Sequence, residues 1–144
     1  MRQRVVRRRT CRLALAVAAA LCMTAPAGGQ DEETFRARLA PSAGGTGAGE
    51  VRAVLRGRLL DISGRFDGLT SVATAAHVHQ APAGETGPAL FTLEVTPGRD
   101  GDLRGGADLA GDQVEALREG TLYVQIHTLD RPAGALLGWL GSVW

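Results

Sequence analysis

The feature that most constrains the fold of this 144-residue chain is a period-two alternation of apolar and polar residues, interrupted at short intervals by Gly, Pro or Asp. Successive side chains of a β-strand point to opposite faces, so this alternation is typical of strands with one buried face. The 20 glycines and 6 prolines supply turns between such strands. The pattern predicts eight strands, over residues 34–39, 51–56, 58–66, 74–79, 89–95, 103–109, 121–128 and 134–140.

A single helix is predicted, over residues 112–119. Val114 and Leu117 lie three residues apart among charged neighbours, and Gly120 follows them, a residue type that commonly ends a helix. Short strands at regular spacing with Gly-rich turns indicate an antiparallel sandwich or barrel. We predict an all-β fold: an antiparallel, Greek-key-like β-sandwich of about eight strands with one short helix.

The three histidines of the chain lie in two of these strands and are spaced as metal ligands would be. His77 and His79 are two residues apart and share one strand face, while their apolar neighbours take the other. In the second strand His127 shares a face with Tyr123 and Gln125, opposite three apolar residues. Three neutral imidazoles can hold copper or zinc, and copper stands higher in the affinity order. The predicted ligands are therefore His77, His79 and His127, with copper preferred to zinc.

A structural role is the alternative interpretation, in which the histidines hydrogen-bond neighbouring loops and support an edge of the sandwich. Two observations favour a metal: no histidine occurs elsewhere, and the third lies on a matching face of another strand. Metal-bound imidazoles usually have a partner on the second ring nitrogen. Tyr123 is predicted to fill surface beside His127. The candidate partners of the second nitrogen are Glu85, Gln125 and Thr128.

The first 27 residues are predicted to be a secretory signal peptide. Arginines precede an apolar run over residues 13–21, and small residues at 25–27 offer a cleavage site. The run is too short to span a bilayer. We therefore expect an exported protein, periplasmic or extracellular, with no membrane span in the mature chain. Cys22 is a candidate for the lipid-modified cysteine of a lipoprotein, but the large Leu21 directly before it fits the lipidation motif poorly.

Removal of residues 1–27 changes the charge of the chain. It takes away 6 of the 16 arginines and leaves all 15 acidic residues, so the mature chain has a formal charge of −5. An acidic chain argues against nucleic-acid binding. Cys11 and Cys22 leave as well, so the mature chain has no disulfide, and about 117 residues can bury a core without one. Residues 28–33 are predicted to be a disordered lead, and residues 34–144 the domain.

Several segments, in this order, resemble the CHRD domain family, and the resemblance extends over residues 34–141. It implies a β domain that occurs in chordin, an extracellular antagonist of growth factors, and in many exported bacterial proteins. An extracytoplasmic protein partner is one implication. The segments are a Gly-Leu turn at 68–69, Ala-Ala-His-Val-His at 75–79, a Gly- and Pro-rich loop at 84–88, the strand at 122–128 and Pro-Ala-Gly at 132–134.

Residues 68–79 also resemble, more distantly, the segment before the copper ligands of copper/zinc superoxide dismutase. In that enzyme a Gly-Leu turn leads to a GFHVH strand, and a later strand ending in VVH provides another ligand. The resemblance implies that His77, His79 and His127 would be copper ligands on the outer face of the sandwich. Several features of the enzyme have no counterpart here: the zinc-bridging histidine, since no fourth histidine exists, the zinc site and the disulfide. The guiding arginine is also missing, since residues 134–138 carry no cation.

Three functions remain open at this point. The first is an exported copper-binding module for storage, sensing or delivery. The second is an extracellular protein-interaction domain without metal. The third and weakest is a dismutase-like redox enzyme, because an acidic domain without the guiding arginine provides a poor field for an anion. The predicted partners are accordingly a metal ion, an extracytoplasmic protein, or both.

Overall fold

The computed structural model describes residues 31–143, which form nine β-strands and one α-helix. The predicted signal peptide, Cys22 and residues 28–30 of the predicted lead lie outside the described residues. The elements in chain order are β1 (Glu32–Pro41), β2 (Ala48–Arg56), β3 (Leu59–Asp67), β4 (Ala73–Gln80), β5 (Ala89–Val95), β6 (Gly101–Asp108), α1 (Gly111–Arg118), β7 (Leu122–Thr128), β8 (Leu136–Trp139) and β9 (Gly141–Ser142).

The eight predicted strands and the helix are all present, with ends shifted by a few residues. β1 begins at Glu32, so it includes two residues expected in the lead. At the start of α1 the Gln113 side chain accepts a hydrogen bond from the Ala110 N–H at 2.9 Å, and Gly120, with φ of +71°, follows the last turn. Within residues 31–143, no helix is both long and apolar enough to span a lipid bilayer.

The strands form a closed antiparallel barrel, so the predicted sandwich is wrong in this respect. Their order is β2-β3-β6-β5-β4-β7-β8-β1, and β1 also pairs with β2. β1 closes the ring because its ten residues reach both neighbours: Glu32 to Leu39 pair with β2, while Ala40 and Pro41 pair with β8. The same alternation of apolar and polar residues suits a sandwich and a barrel, and therefore does not distinguish them.

The connections give the barrel a Greek-key order, as predicted. Hairpins join β4, β5 and β6 in turn, and β7 then returns to pair with the other side of β4. β3 likewise pairs with β6 and not with β4. As a result β4 lies between β5 and β7, although β5, β6 and α1 separate β4 from β7 in the sequence.

Alternate residues of the strands fill the barrel interior. Among these are Ala76 and Val78 of β4, both fully buried. β7 is unusual because its outward residues Tyr123 and Gln125 are also nearly inaccessible, at 2% and 7% exposure. The outer face of β7 is therefore covered by other parts of the chain. Large side chains that are less than 2% exposed in the core include Phe35, Leu55, Leu60, Leu103, Leu109, Leu117, Leu122, Ile126, Leu136 and Leu140.

Candidate metal centre

The pairing of β4 with β7 brings the three histidines together. In this antiparallel register His79 lies opposite Tyr123, His77 opposite Gln125, and His127 opposite Ala75. Residues directly opposite one another project from the same face of the sheet, so all three imidazoles project from its outer face. This confirms the predicted placement of the histidines on the face opposite the core.

The candidate ligand atoms of His77, His79 and His127, one from each ring, all lie within 4.8 Å of one another. The closest contact joins His77 Nδ1 and His127 Nε2 at 3.0 Å. The centroid of the His79 ring lies 5.8 Å from that of His77 and 6.3 Å from that of His127. The sequence thus predicted a cluster that the fold assembles from two strands, and this cluster could hold a metal ion.

Two backbone carbonyls fix the orientation of two of the rings. His79 Nδ1 lies 2.9 Å from the carbonyl oxygen of Gly87, and His127 Nδ1 lies 2.9 Å from that of Pro132. A carbonyl oxygen only accepts hydrogen bonds, so each Nδ1 carries a proton, and in the neutral form of either ring the lone pair then lies on Nε2. The Nε2 of His79 is buried and has no hydrogen-bond partner among residues 31–143. Buried nitrogens are rarely left in this state.

Both carbonyls belong to connecting loops that pack closely against β7. A Cβ on Gly87 would lie 1.8 Å from the carbonyl oxygen of Gln80. Only glycine therefore allows the loop between β4 and β5 to approach the backbone at the end of β4 this closely. The Gly87 N–H also donates to the Tyr123 hydroxyl at 3.2 Å. In the loop between β7 and β8, the Gln125 amide donates to the carbonyl oxygen of Ala133 at 3.1 Å. The loops therefore cover the outer face of β7 and present their carbonyls to the histidines.

The predicted side-chain partners of the imidazoles are wrong. Glu85 is exposed and makes no side-chain hydrogen bond within the described part of the chain. Gln125 contacts a loop carbonyl, and the Thr128 hydroxyl donates to Asp130 Oδ1 at 2.7 Å. Backbone carbonyls take the expected place, because the two loops bring main-chain atoms closer to the rings than any of these side chains.

Two aromatic side chains beside the cluster were not predicted to belong to it. Tyr123 stacks on His79, with ring centroids 5.0 Å apart and planes 15° apart, and Trp139 packs on Tyr123 at 5.1 Å. The Trp139 indole donates to the carbonyl oxygen of Ala81 at 3.0 Å. Tyr123 was expected to fill exposed surface, but it is buried. The outward position of Tyr123 on the same strand face as His127 is the sequence signal that points to this contact.

The pKa of His77 lies below its ordinary value of 6.5. Burial is the largest cause, and the neighbouring His127 and His79 add to it. Burial disfavours the charged ring, and nearby positive charge does the same. The cluster therefore favours a neutral His77, which is the form that binds metals.

Comparison with known proteins assigns the chain to a family. A family model described as the CHRD domain matches residues 24–140. The chain belongs to the CHRD domain family. The match agrees with the resemblance carried by the Gly-Leu turn, the His-Val-His segment and the β7 strand. Comparison with curated proteins and with solved structures gave no match.

The candidate ligand group of this CHRD domain consists of imidazoles. Neutral nitrogen donors suit copper and zinc, whereas calcium and magnesium prefer oxygen donors. The cation of the β7–β8 loop is engaged elsewhere, since Arg131 donates to the carbonyl oxygens of Ala43 and Gly44. The chemistry offered by the cluster is therefore coordination of a borderline metal ion by nitrogen.

Proposed function

We propose that this CHRD domain is an exported copper-binding module that holds one copper ion between His77, His79 and His127. The observation that carries the proposal is the buried Nε2 of His79, which has no hydrogen-bond partner among the described residues. A buried polar atom without a partner is costly. A copper ion shared with the other two rings would supply that partner.

The contact between His77 Nδ1 and His127 Nε2 is compatible with a metal and with a structural role. Their separation of 3.0 Å is the length of an ordinary hydrogen bond. Two nitrogens at this separation can also each lie about 2.0 Å from one ion. His79 distinguishes the two roles, because the structural interpretation leaves its Nε2 without a partner.

Copper is preferred to zinc for two reasons. Copper binds a given set of nitrogen donors more tightly than zinc does. The cluster also lacks the thiolates that complete many zinc sites. Storage, sensing or delivery of copper requires binding and release and no guiding field for an anion. Each is thus compatible with residues 134–138, which carry no cation.

The export part of the proposal rests on residues 1–27, where an arginine-rich start precedes an apolar run and small residues. An exported module would meet copper outside the cytoplasm. N-terminal sequencing of the protein recovered from the extracytoplasmic fraction tests this part. An N-terminus at Met1 would contradict it.

Metal titration of the purified protein tests copper binding directly. We expect one equivalent of copper to bind with a dissociation constant below about 1 µM, in either the Cu(I) or the Cu(II) form. His127→Ala should weaken binding at least about tenfold. Thr74→Ala, an exposed substitution on the same sheet, is the control and should leave it unchanged. Binding weaker than micromolar, or binding indifferent to His127→Ala, would refute the proposal.

The second candidate is an extracellular protein-interaction domain without metal. The 3.0 Å separation of His77 Nδ1 and His127 Nε2 is compatible with it, because it is the length of an ordinary hydrogen bond between two rings. A folded protein that binds no copper in the titration would support this candidate. Superoxide turnover by the copper-loaded protein would instead support a dismutase-like enzyme.

A further inference from the structure

A second chemically distinctive surface lies across the barrel from the histidines. The outer faces of β1, β2 and β3 present Arg36, Arg38, Arg52 and Arg65, which line a groove of about 760 Å³. We call this surface the arginine groove. Its central strand, β2, lies four strands from β4 in both directions around the ring. The arginine groove therefore shares no residue with the histidine cluster.

Strand register sets the spacing of the guanidinium groups. Arg36 lies opposite Arg52, and Glu50 lies between Arg38 and Arg65. Neighbouring strands are about 4.8 Å apart, and alternate residues of one strand are about 6.8 Å apart. Like charges directly opposite one another destabilise a sheet. A bound anion would relieve this repulsion.

Three of the four arginines of the groove differ from the others because their side chains lack partners among the described residues. Within residues 31–143, the side chains of Arg36, Arg38 and Arg65 make no hydrogen bond or ion pair. Arg52 donates to the Thr34 hydroxyl at 3.3 Å and lies 3.8 Å from Glu32. The remaining arginines are engaged. Arg56, Arg58, Arg104 and Arg118 form ion pairs of 3.0 Å or less, while Arg99 and Arg131 donate to backbone carbonyls.

The side chains of the groove limit the class of ligand. No aromatic residue lines it, so nucleic-acid bases have no surface on which to stack. Its apolar members Ala37 and Val51 are buried in the barrel core, so the groove offers no pocket for the apolar anchor that dominates most protein interfaces. Glu50 repels a ligand that presents only anionic groups along its length, but it accepts hydrogen bonds from hydroxyl groups.

We propose that the arginine groove binds an acidic polysaccharide, a sugar chain that carries carboxylates. The planar guanidinium groups of Arg36, Arg38 and Arg65 pair with carboxylates, for which their paired N–H groups are suited. Glu50 and Ser63 hydrogen-bond the sugar hydroxyls. This binding is independent of copper, because the histidine cluster lies on the other side of the barrel.

Calorimetric titration with polygalacturonate oligomers at about 0.15 M salt, where long-range attraction is screened, tests the proposal. The test variant is the triple substitution Arg36→Ser, Arg38→Ser and Arg65→Ser. It should weaken binding about tenfold or more, since each exposed contact contributes modestly. No binding by the unsubstituted protein, or no effect of the triple substitution, would overturn the proposal.

A matched triple variant separates the groove from net charge. Arg56→Ser, Arg58→Ser and Arg104→Ser remove the same charge from ion-paired positions. This variant should change polygalacturonate binding less than about threefold. Equal weakening by both triple variants would mean that net charge alone attracts the polymer, and would overturn the proposal. Melting temperatures of both variants establish that they are folded.

Inorganic polyphosphate is the second probe, because it carries charge without hydroxyl groups along its length. Polygalacturonate should bind more tightly than polyphosphate of equal charge, and Glu50→Gln should reduce that preference. Tighter binding of polyphosphate by the unsubstituted protein would overturn the assignment to a polysaccharide.

Discussion

At the scale of single residues, the three imidazoles have different partners, and the partner decides which nitrogen is available in each. His79 and His127 donate Nδ1 protons to the carbonyls of Gly87 and Pro132, whereas His77 meets His127 through its own Nδ1. The sequence predicted which histidines meet, because period-two spacing fixes their faces. It did not predict the carbonyl partners, since those depend on loop conformations that no side-chain pattern encodes.

Gly134 is expected to be intolerant of a side chain. Its φ is +127°, and a Cβ there would lie 2.0 Å from Gln125 Nε2. The buried Gln125 amide would have to move and give up its hydrogen bond to the Ala133 carbonyl. Gly134→Ala should therefore lower the free energy of unfolding by about 2–4 kcal/mol, as measured by urea denaturation. Gly84→Ala is the matched control, because φ is +89° but no atom lies within 4 Å. The control should lose only about 1 kcal/mol. Equal losses in both variants would contradict the predicted clash.

His77 should make the stability of the metal-free protein depend on pH. Its pKa is lowered by burial and by the neighbouring histidines, so the unfolded chain binds this proton more readily than the folded chain. The contribution of a neutral His77 is complete above pH 6.5 and is lost as pH falls through the folded pKa. Urea denaturation from about pH 5 to 7.5 measures this effect. His77→Gln should flatten the profile, and an unchanged profile would count against it.

At the scale of elements, the strands set the positions of the three histidines, and the connecting loops supply the groups around them. The loop between β7 and β8 is fastened by Asp130, which accepts hydrogen bonds from Thr70 at 2.6 Å, from Ser71 and from Thr128 at 2.7 Å. Thr70 and Ser71 belong to the connection between β3 and β4. The carboxylate of Asp130 therefore links two connections beside the residue that presents its carbonyl to His127.

Replacement of Asp130 by asparagine should loosen this link. The hydroxyls of Ser71, Thr70 and Thr128 hold the pKa of Asp130 well below its ordinary value. The carboxylate thus contributes stability above its ordinary pKa, and that contribution is lost as pH falls through the folded pKa. Asparagine has one acceptor oxygen, so Asp130→Asn should lower the melting temperature and speed amide hydrogen exchange over residues 129–135.

The control for this substitution is Asp102→Asn, because the Asp102 carboxylate makes no ion pair or hydrogen bond within the described residues. The control should leave both measurements unchanged. The expectation for Asp130 would be contradicted by unchanged exchange over residues 129–135, or by equal effects of the two substitutions.

The positions of the strands were predictable because each strand's alternation reflects its own burial. The closed ring was not, because it depends on the length of β1 and on its pairing with β8, which lies at the other end of the domain. The burial of Tyr123 was not predictable either. Its strand pattern correctly places it outside the barrel, but the loops that cover it come from other elements.

At the scale of the whole molecule, the barrel separates two kinds of chemistry. Imidazoles gather on β4 and β7, while guanidinium groups gather on β1, β2 and β3, three of them without a side-chain partner among residues 31–143. The predicted mature chain is acidic overall, with a charge of −5, so the arginine groove is a local exception to the charge of its surroundings. The composition of the predicted mature chain indicates an acidic protein, and only the fold brings these arginines together on one face.

Closure of the ring has a kinetic consequence. The Ser42 hydroxyl donates to the carbonyl oxygen of Gly134, which lies 92 residues away in the chain, at the junction of β1 with β8. Contacts this remote must overcome the entropy of a long loop before they stabilise anything, so this junction is expected to form late in folding. Pro132, which orients His127, lies beside it. Nascent chains would therefore complete the imidazole cluster among their last steps, so the proposed copper site would form only in a nearly finished barrel.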